Sequence, residues 1–211
     1  MNEPNPPPPL VLASASPRRR ELLASLGVAF EVAPADIDES IHPGESPEAY
    51  VRRMAGEKAL AVADSHPGCF LVGSDTAVVV DDECLGKPAD QAEARAMLGR
   101  LSGRRHRVLS SVALAEPDGR LREALSETAV DFAPLPEAWV DAYLGTEEPY
   151  DKAGAYGIQG AAGVWVCRIE GSYTGVVGLP LFETAGLLRA AGFAADAILA
   201  DKGPATGSQP A

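Results

Sequence analysis

The sequence predicts a mixed α/β fold, and three features carry that expectation. Short apolar runs alternate with helical segments opened by capping residues, the pattern that supplies a sheet with flanking helices. A strand-like run from Arg107 to Ala115 is joined to another, Arg120 to Phe132, by the turn Glu116-Pro117-Asp118-Gly119. That hairpin makes the sheet mixed rather than wholly parallel. The 211 residues are 46% hydrophobic and 23% charged, with a mean hydropathy of -0.02, enough for one sizeable core without disulfides or a structural metal.

The elements follow in order. Asn2 to Pro9 holds five prolines, and Asp201 to Ala211 is mostly Gly, Pro, Ser, Thr and Ala. Residues 1–9 and 201–211 are therefore expected to be disordered tails around a single unit at 10–200. Leu10 to Ala13 reads as a strand ending in Ser14-Ala15-Ser16-Pro17. Ser16 can cap a helix with Pro17 in its first turn, running to Leu26 and stopping at Gly27. Ser46-Pro47 repeats the start signal for a helix carrying Tyr50, Met54 and Lys58, and Asp90-x-x-Glu93 opens a third ending near Gly103. Phe70 to Val72 and Ala77 to Val80 read as two strands, Trp165 to Ile169 as another, and Leu181 to Ala191 as the last helix.

Charge and composition exclude several classes. With 30 acidic against 18 basic residues, net -12, the chain repels polyanions at long range, which argues against nucleic acid or anionic lipid as a general partner. An anionic ligand must be held by a local basic cluster. There is no membrane-length apolar run and no export leader, and the three separated cysteines read as reduced thiols, so a cytoplasmic protein is expected.

Four segments can carry chemistry. Ser14 to Arg20 turns from strand into helix, presenting free amides and the positive dipole end together with three arginines. An arginine run is often a solvated face, but cations at a helix N-terminus oppose the dipole, which an anion would relieve. Asp75, in Gly73-Ser74-Asp75-Thr76 after the first apolar strand, can hold a divalent metal or take a proton from water, with Glu39 as a second oxygen ligand. A turn or helix cap is the plainer reading of the same Asp. In Leu85-Gly86-Lys87-Pro88, glycine and proline fix the place of Lys87, which would otherwise be a simple turn lysine. Asp151 to Gly160 is a glycine-rich segment in which Gln159 has the donor and acceptor needed to read a base, or else a flexible surface loop. On its own helix Lys58 reads as an ordinary exposed lysine, Arg104 to Arg107 as a solvated basic turn, and no histidines pair as metal ligands.

In order along the chain, Leu12 to Arg19, Glu57-Lys58-Ala59, Ser74-Asp75-Thr76, Gly86-Lys87-Pro88, Leu101-Ser102-Gly103 with His106, Asp151 to Gly160 and Val177-Gly178-Leu179-Pro180 resemble the Maf family of nucleotide pyrophosphatases. The resemblance implies a two-lobed α/β fold like that of inosine triphosphatases. It also implies hydrolysis of a nucleoside triphosphate to monophosphate and pyrophosphate with a divalent cation, Mg or Mn, and a homodimer. The family was first linked to inhibition of septum formation.

Residue by residue, the resemblance puts the catalytic or metal-binding carboxylate on Asp75 and a second acid on Glu39, with Asp36 or Asp38 able to take the latter role. It puts phosphate-binding groups on Ser14, Arg19, Lys58 and Lys87, and base choice on Arg18, Thr76 and Gln159. Arg, Thr and Gln there resemble the dTTP and UTP pyrophosphatases. Gly73-Ser74, however, is spelled as in the branch acting on 7-methyl-GTP, and Gly175 stands where the family often has Asn. The rival from another class is a non-catalytic nucleotide-binding regulator of cell division.

Overall fold

The computed structural model describes residues 9–195, so the two expected tails, and the last residues of the expected 10–200 unit, fall almost wholly outside the described residues. Pro9, counted with the first tail, already belongs to the fold, because its carbonyl accepts the Phe70 amide at 2.9 Å.

The mixed sheet is as the sequence predicts. Strand β1 (Leu10–Leu12) lies between β2 (Glu31–Val32) and β3 (Phe70–Val80), parallel to both. Strand β4 (Glu83–Leu85) folds back antiparallel on β3. Strands β5 (Arg105–Ala115), β6 (Leu121–Phe132) and β7 (Val166–Glu170) continue the sheet antiparallel, giving the order β2-β1-β3-β5-β6-β7 with β4 beside β3. Two-residue β2 has too little pattern to be read in advance.

Helices α1 (Pro17–Ala24), α2 (Pro47–Ala61) and α3 (Gln91–Leu101) begin where their caps place them. The side chains of Ser16, Ser46 and Asp90 accept the amides of Arg19, Ala49 and Glu93. Helix α1 stops at Ala24, a little before the expected Leu26, and Gly27 takes the left-handed conformation that turns the chain away. Helices α4 (Glu137–Leu144) and α5 (Tyr173–Val177) were not legible, since neither has a Ser-Pro or Asp-x-x-Glu opening, and α6 (Leu181–Ala190) closes the fold.

The main correction concerns β3. The two expected strands, with Gly73 to Thr76 as a turn between them, are one continuous strand of 11 residues, and Asp75 sits in its middle rather than at its end. Small and polar residues interrupt the apolar pattern, but pairing with β5 holds them in line from Leu71 to Val79. On its other edge β3 pairs with β1 only over Phe70 to Val72 and with β4 only over Val78 to Val80. Gly73 to Ala77 therefore keep an open edge, and there the sheet divides into two lobes. One apolar cluster gathers Leu12, Leu23, Val72, Leu114 and Leu188 around β1, and another gathers Val80, Leu98, Leu101, Val130 and Phe132 around α3.

Helix α2 lies on β3 so closely that a Cβ on Gly73 would stand 2.1 Å from the Ala55 carbonyl oxygen and 2.6 Å from the Ala59 nitrogen. Both obstacles are backbone, so the helix would have to move. We expect Gly73→Ala to destabilise the fold by about 1–3 kcal/mol, as overpacking does. Gly99→Ala, on the exposed face of α3 with nothing near its added Cβ, should raise stability by about 0.5–1 kcal/mol. Denaturant unfolding of the two variants measures the contrast.

Candidate functional site

The open edge of β3 forms the floor of a cavity of about 1000 Å³ between the lobes. All nine residues singled out from the sequence line it: Ser14, Arg18, Arg19, Glu39, Lys58, Asp75, Thr76, Lys87 and Gln159. Successive strand residues normally point to opposite faces, and an unpaired edge lets Asp75 and Thr76 reach one space from both.

Lys58 is not the exposed lysine its helix suggests. Packing of α2 on Gly73 leaves it 7% exposed, with Asp75 6% exposed beside it. Its Nζ donates to Asp75 Oδ1 at 2.7 Å and pairs with Glu39 Oε1 at 2.7 Å, so one ammonium bridges two carboxylates. Removal from water pushes the Glu39 carboxyl up, but the Lys58 hydrogen bond and the fields of Lys58, Lys87 and Arg19 outweigh it and hold the group below its ordinary value. The Tyr50 hydroxyl donates to the Glu39 carbonyl at 3.1 Å and anchors the loop that brings Glu39 in. Neither Asp36 nor Asp38 lines the cavity, and the Asp38 carboxylate instead accepts the Ser40 amide.

At the start of α1, the Ser14 hydroxyl accepts the Ser16 amide and the Ser16 hydroxyl accepts that of Arg19. The Ala15 and Arg18 amides are left without a partner among the described residues. No acid lies in the helix's first turn. Of the three arginines, Arg18 and Arg19 line the cavity and Arg20 does not. Arg19 Nε donates to the Gly178 carbonyl at 2.9 Å. Burial pulls this guanidinium below its ordinary value, with Asp75 and Glu39 acting the other way. Arg18 pairs with the Asp151 carboxylate at 3.7 Å.

The opposite wall is the segment from Glu148 to Gly160, which the sequence left open as a flexible loop. It consists of short 3-10 turns over Glu148–Asp151 and Ala153–Ala155, with Ala155 and Tyr156 buried in the core. Lys152 lines the cavity here, donating to the Glu148 carbonyl and the Asp151 carboxylate. Its place within the segment Asp151 to Gly160 is the one signal of it in the sequence. Five basic side chains, those of Arg18, Arg19, Lys58, Lys87 and Lys152, thus face four acidic ones in a chain of net charge -12. This is the local basic cluster an anionic ligand requires.

Ser74, the residue spelled as in the 7-methyl-GTP branch, is fully buried and does not line the cavity. Its hydroxyl donates to the Ser111 carbonyl at 2.8 Å and lies 3.2 Å from that of Gly178. The Arg104 to Arg107 stretch, expected as a solvated turn, runs into β5. His106 is buried there, its Nε2 2.8 Å from the Tyr156 hydroxyl and its ring edge-on to Phe132. Among the described residues no group of three or more His, Cys, Asp and Glu could hold a metal by itself.

The family model for Maf-like proteins matches residues 9–191. A protein from Anaeromyxobacter dehalogenans named dTTP/UTP pyrophosphatase is 56% identical over 189 residues, 88% of this chain and 95% of that protein. Proteins of the same name from Myxococcus xanthus and Symbiobacterium thermophilum are 55% and 52% identical, over 87% of this chain and 92% and 94% of theirs. Among solved structures, a nucleoside-triphosphatase / dITP/XTP pyrophosphatase from Mycobacterium abscessus aligns at 22% identity over 61% of this chain and 76% of its own, with a TM-score of 0.41.

Burial pushes the His106 imidazole down to about 4 from an ordinary 6.5, with Asp131 offsetting part of the effect. Between those values the unfolded chain takes up a proton that the folded one refuses, so acidification favours unfolding. Stability should therefore fall as pH drops from about 6.5 to about 4, by roughly 3 kcal/mol from this group, and level off below. Unfolding curves at about pH 7 and about pH 4.5 check this, because His106→Gln should lose that part of the pH dependence.

Proposed function

The chain belongs to the Maf family, and from that premise we propose that it hydrolyses dTTP and UTP to the monophosphate and pyrophosphate. The observation that carries the reading is the convergence of Arg18, Thr76 and Gln159 on the cavity that holds the Lys58–Asp75 pair. The names of relatives more than half identical in sequence point to the same substrates.

A triphosphate brings about four negative charges into an acidic protein, so its phosphates must lie among fixed donors and cations. The free amides at the start of α1, the Ser14 hydroxyl, Arg19, Lys58 and Lys87 provide them. Arg18 and Lys152, both paired with the Asp151 carboxylate, give the phosphates a second flank, and Gln159 at the rim is placed to meet the base. With Oδ1 engaged by Lys58, Asp75 keeps Oδ2 to orient a water and accept its proton. The water oxygen bonds to the α-phosphorus, the bond from that phosphorus to the bridging oxygen breaks, and pyrophosphate leaves with the electron pair. Lys58 keeps Asp75 and Glu39 together against their mutual repulsion and places both beside the phosphates.

A divalent cation fits this donor set. Asp75 and Glu39 each retain one carboxylate oxygen not engaged by Lys58, and phosphate oxygens and water would complete a hard oxygen shell, the usual arrangement for Mg²⁺. When bound, the cation would supply positive charge that offsets the charge of the phosphates.

We expect Asp75→Asn to lower kcat by about 10²–10⁴ with the fold intact. Gln159→Ala should lose about 1–3 kcal/mol of discrimination in kcat/KM between dTTP and a purine triphosphate, and a uniform loss across nucleotides would make Gln159 structural instead. Initial rates of pyrophosphate release from dTTP, UTP, 7-methyl-GTP and ITP, with Mg²⁺, Mn²⁺ or EDTA, test the whole reading. Metal-dependent turnover led by dTTP and UTP is expected. Turnover led by 7-methyl-GTP would overturn the substrate assignment, and tight binding without turnover would favour a non-catalytic regulator.

A further inference from the structure

We infer that Ser110 is a positioning residue for base selection, fixing the Thr76 hydroxyl as a hydrogen-bond acceptor that takes the imide N–H of uracil or thymine. The inference rests on the proposed dTTP/UTP activity and deepens it. Thr76 and Ser110 stand directly opposite on β3 and β5, so their side chains share a face. Their hydroxyl oxygens are 2.8 Å apart. Ser110 is 1% exposed, and its Oγ lies 2.6 Å from the Gly175 carbonyl oxygen.

A carbonyl can only accept, so the single Ser110 proton goes to Gly175. That carbonyl is available because α5 ends there. The next amides in line, of Gly178 and Leu179, both bond to the Thr174 carbonyl, leaving Gly175 among the unsatisfied acceptors of a helix end. With its proton spent, Ser110 can only accept from Thr76. The other acceptor near Thr76, the Gly178 carbonyl, is 3.4 Å away and already accepts from Arg19 Nε at 2.9 Å with the Ser74 hydroxyl at 3.2 Å, so it competes poorly for the Thr76 proton. With Ser110 in place, Thr76 therefore has no proton to offer the cavity and presents lone pairs alone.

An acceptor at this place distinguishes the two kinds of pyrimidine. Uracil and thymine carry a proton on the ring nitrogen between their carbonyls, whereas the corresponding nitrogen of cytosine is itself an acceptor and would face the Thr76 lone pairs unpaired. The relay from Thr76 through Ser110 to Gly175 thus turns an ambivalent hydroxyl into a one-way reader.

The test is the ratio of kcat/KM for UTP to that for CTP. In Ser110→Ala the Thr76 hydroxyl can rotate and donate, so the ratio should fall by about tenfold or more, mainly through improved use of CTP, a change that simple damage to the fold would not produce. Ser110→Thr, which keeps the hydroxyl, should restore the wild-type ratio. UTP methylated on the ring nitrogen should be a poor substrate for the wild type. A Ser110→Ala enzyme with an unchanged ratio, or one that loses both substrates equally, would overturn the role of Ser110. A wild-type enzyme that does not prefer UTP to CTP would overturn the dTTP/UTP reading itself.

Discussion

The Lys58 ammonium, held between the carboxylates of Asp75 and Glu39, is the contact on which the rest of the site depends. Asp75 is nearly sealed from water, and a buried carboxylate without a partner carries a heavy desolvation penalty. Lys58 offsets that penalty and also draws Glu39 in from a loop that no strand pairing fixes. The result is two carboxylates bridged by one ammonium, among the basic side chains that line the cavity.

This contact is possible because of an absence. Gly73 has no side chain, so α2 lies with its backbone against β3, and Lys58, near the last turn of that helix, reaches the middle of the strand. The strand is reachable there because β1 and β4 pair with its two ends and leave Gly73 to Ala77 uncovered. Open backbone edges usually invite aggregation, but this one is folded into the cleft between two lobes. The Gly178 carbonyl, just past the end of α5, ties the second side of the cleft together by accepting from Arg19, with the hydroxyls of Ser74 and Thr76 close by.

The elements that were legible in the sequence are those whose signal is local. Ser16-Pro17, Ser46-Pro47 and Asp90-x-x-Glu93 each contain the acceptor and the donor of one cap, so three helix starts followed from neighbouring residues. The Glu116 to Gly119 turn likewise closes on itself, through the Gly119 amide and the Glu116 carbonyl. The elements that were misread take their partners from far along the chain. Gly73 to Thr76 look like a turn until β5 pairs with them, and Lys58 looks solvated until a carboxylate from β3 meets it. His106 sits among arginines in sequence but between Phe132 and Tyr156 in space.

The sequence by itself therefore determined which chemistry the chain carries: a serine- and arginine-rich helix start, an isolated Asp, a lysine fixed between glycine and proline, and a glutamine in a glycine-rich segment, in an order that resembles one family. It determined these because residue type and spacing are local properties. Only the tertiary structure decided that all nine candidates line one cavity, that Glu39 lines it while Asp36 and Asp38 do not, that Ser74 points into the core, and that the Thr76 hydroxyl meets that of Ser110. Each of these depends on the register between β3 and β5 or on the packing of a helix across them. The physical reason is that burial and hydrogen-bond direction are set by neighbours in space, and those neighbours come from strands and helices far apart in the chain.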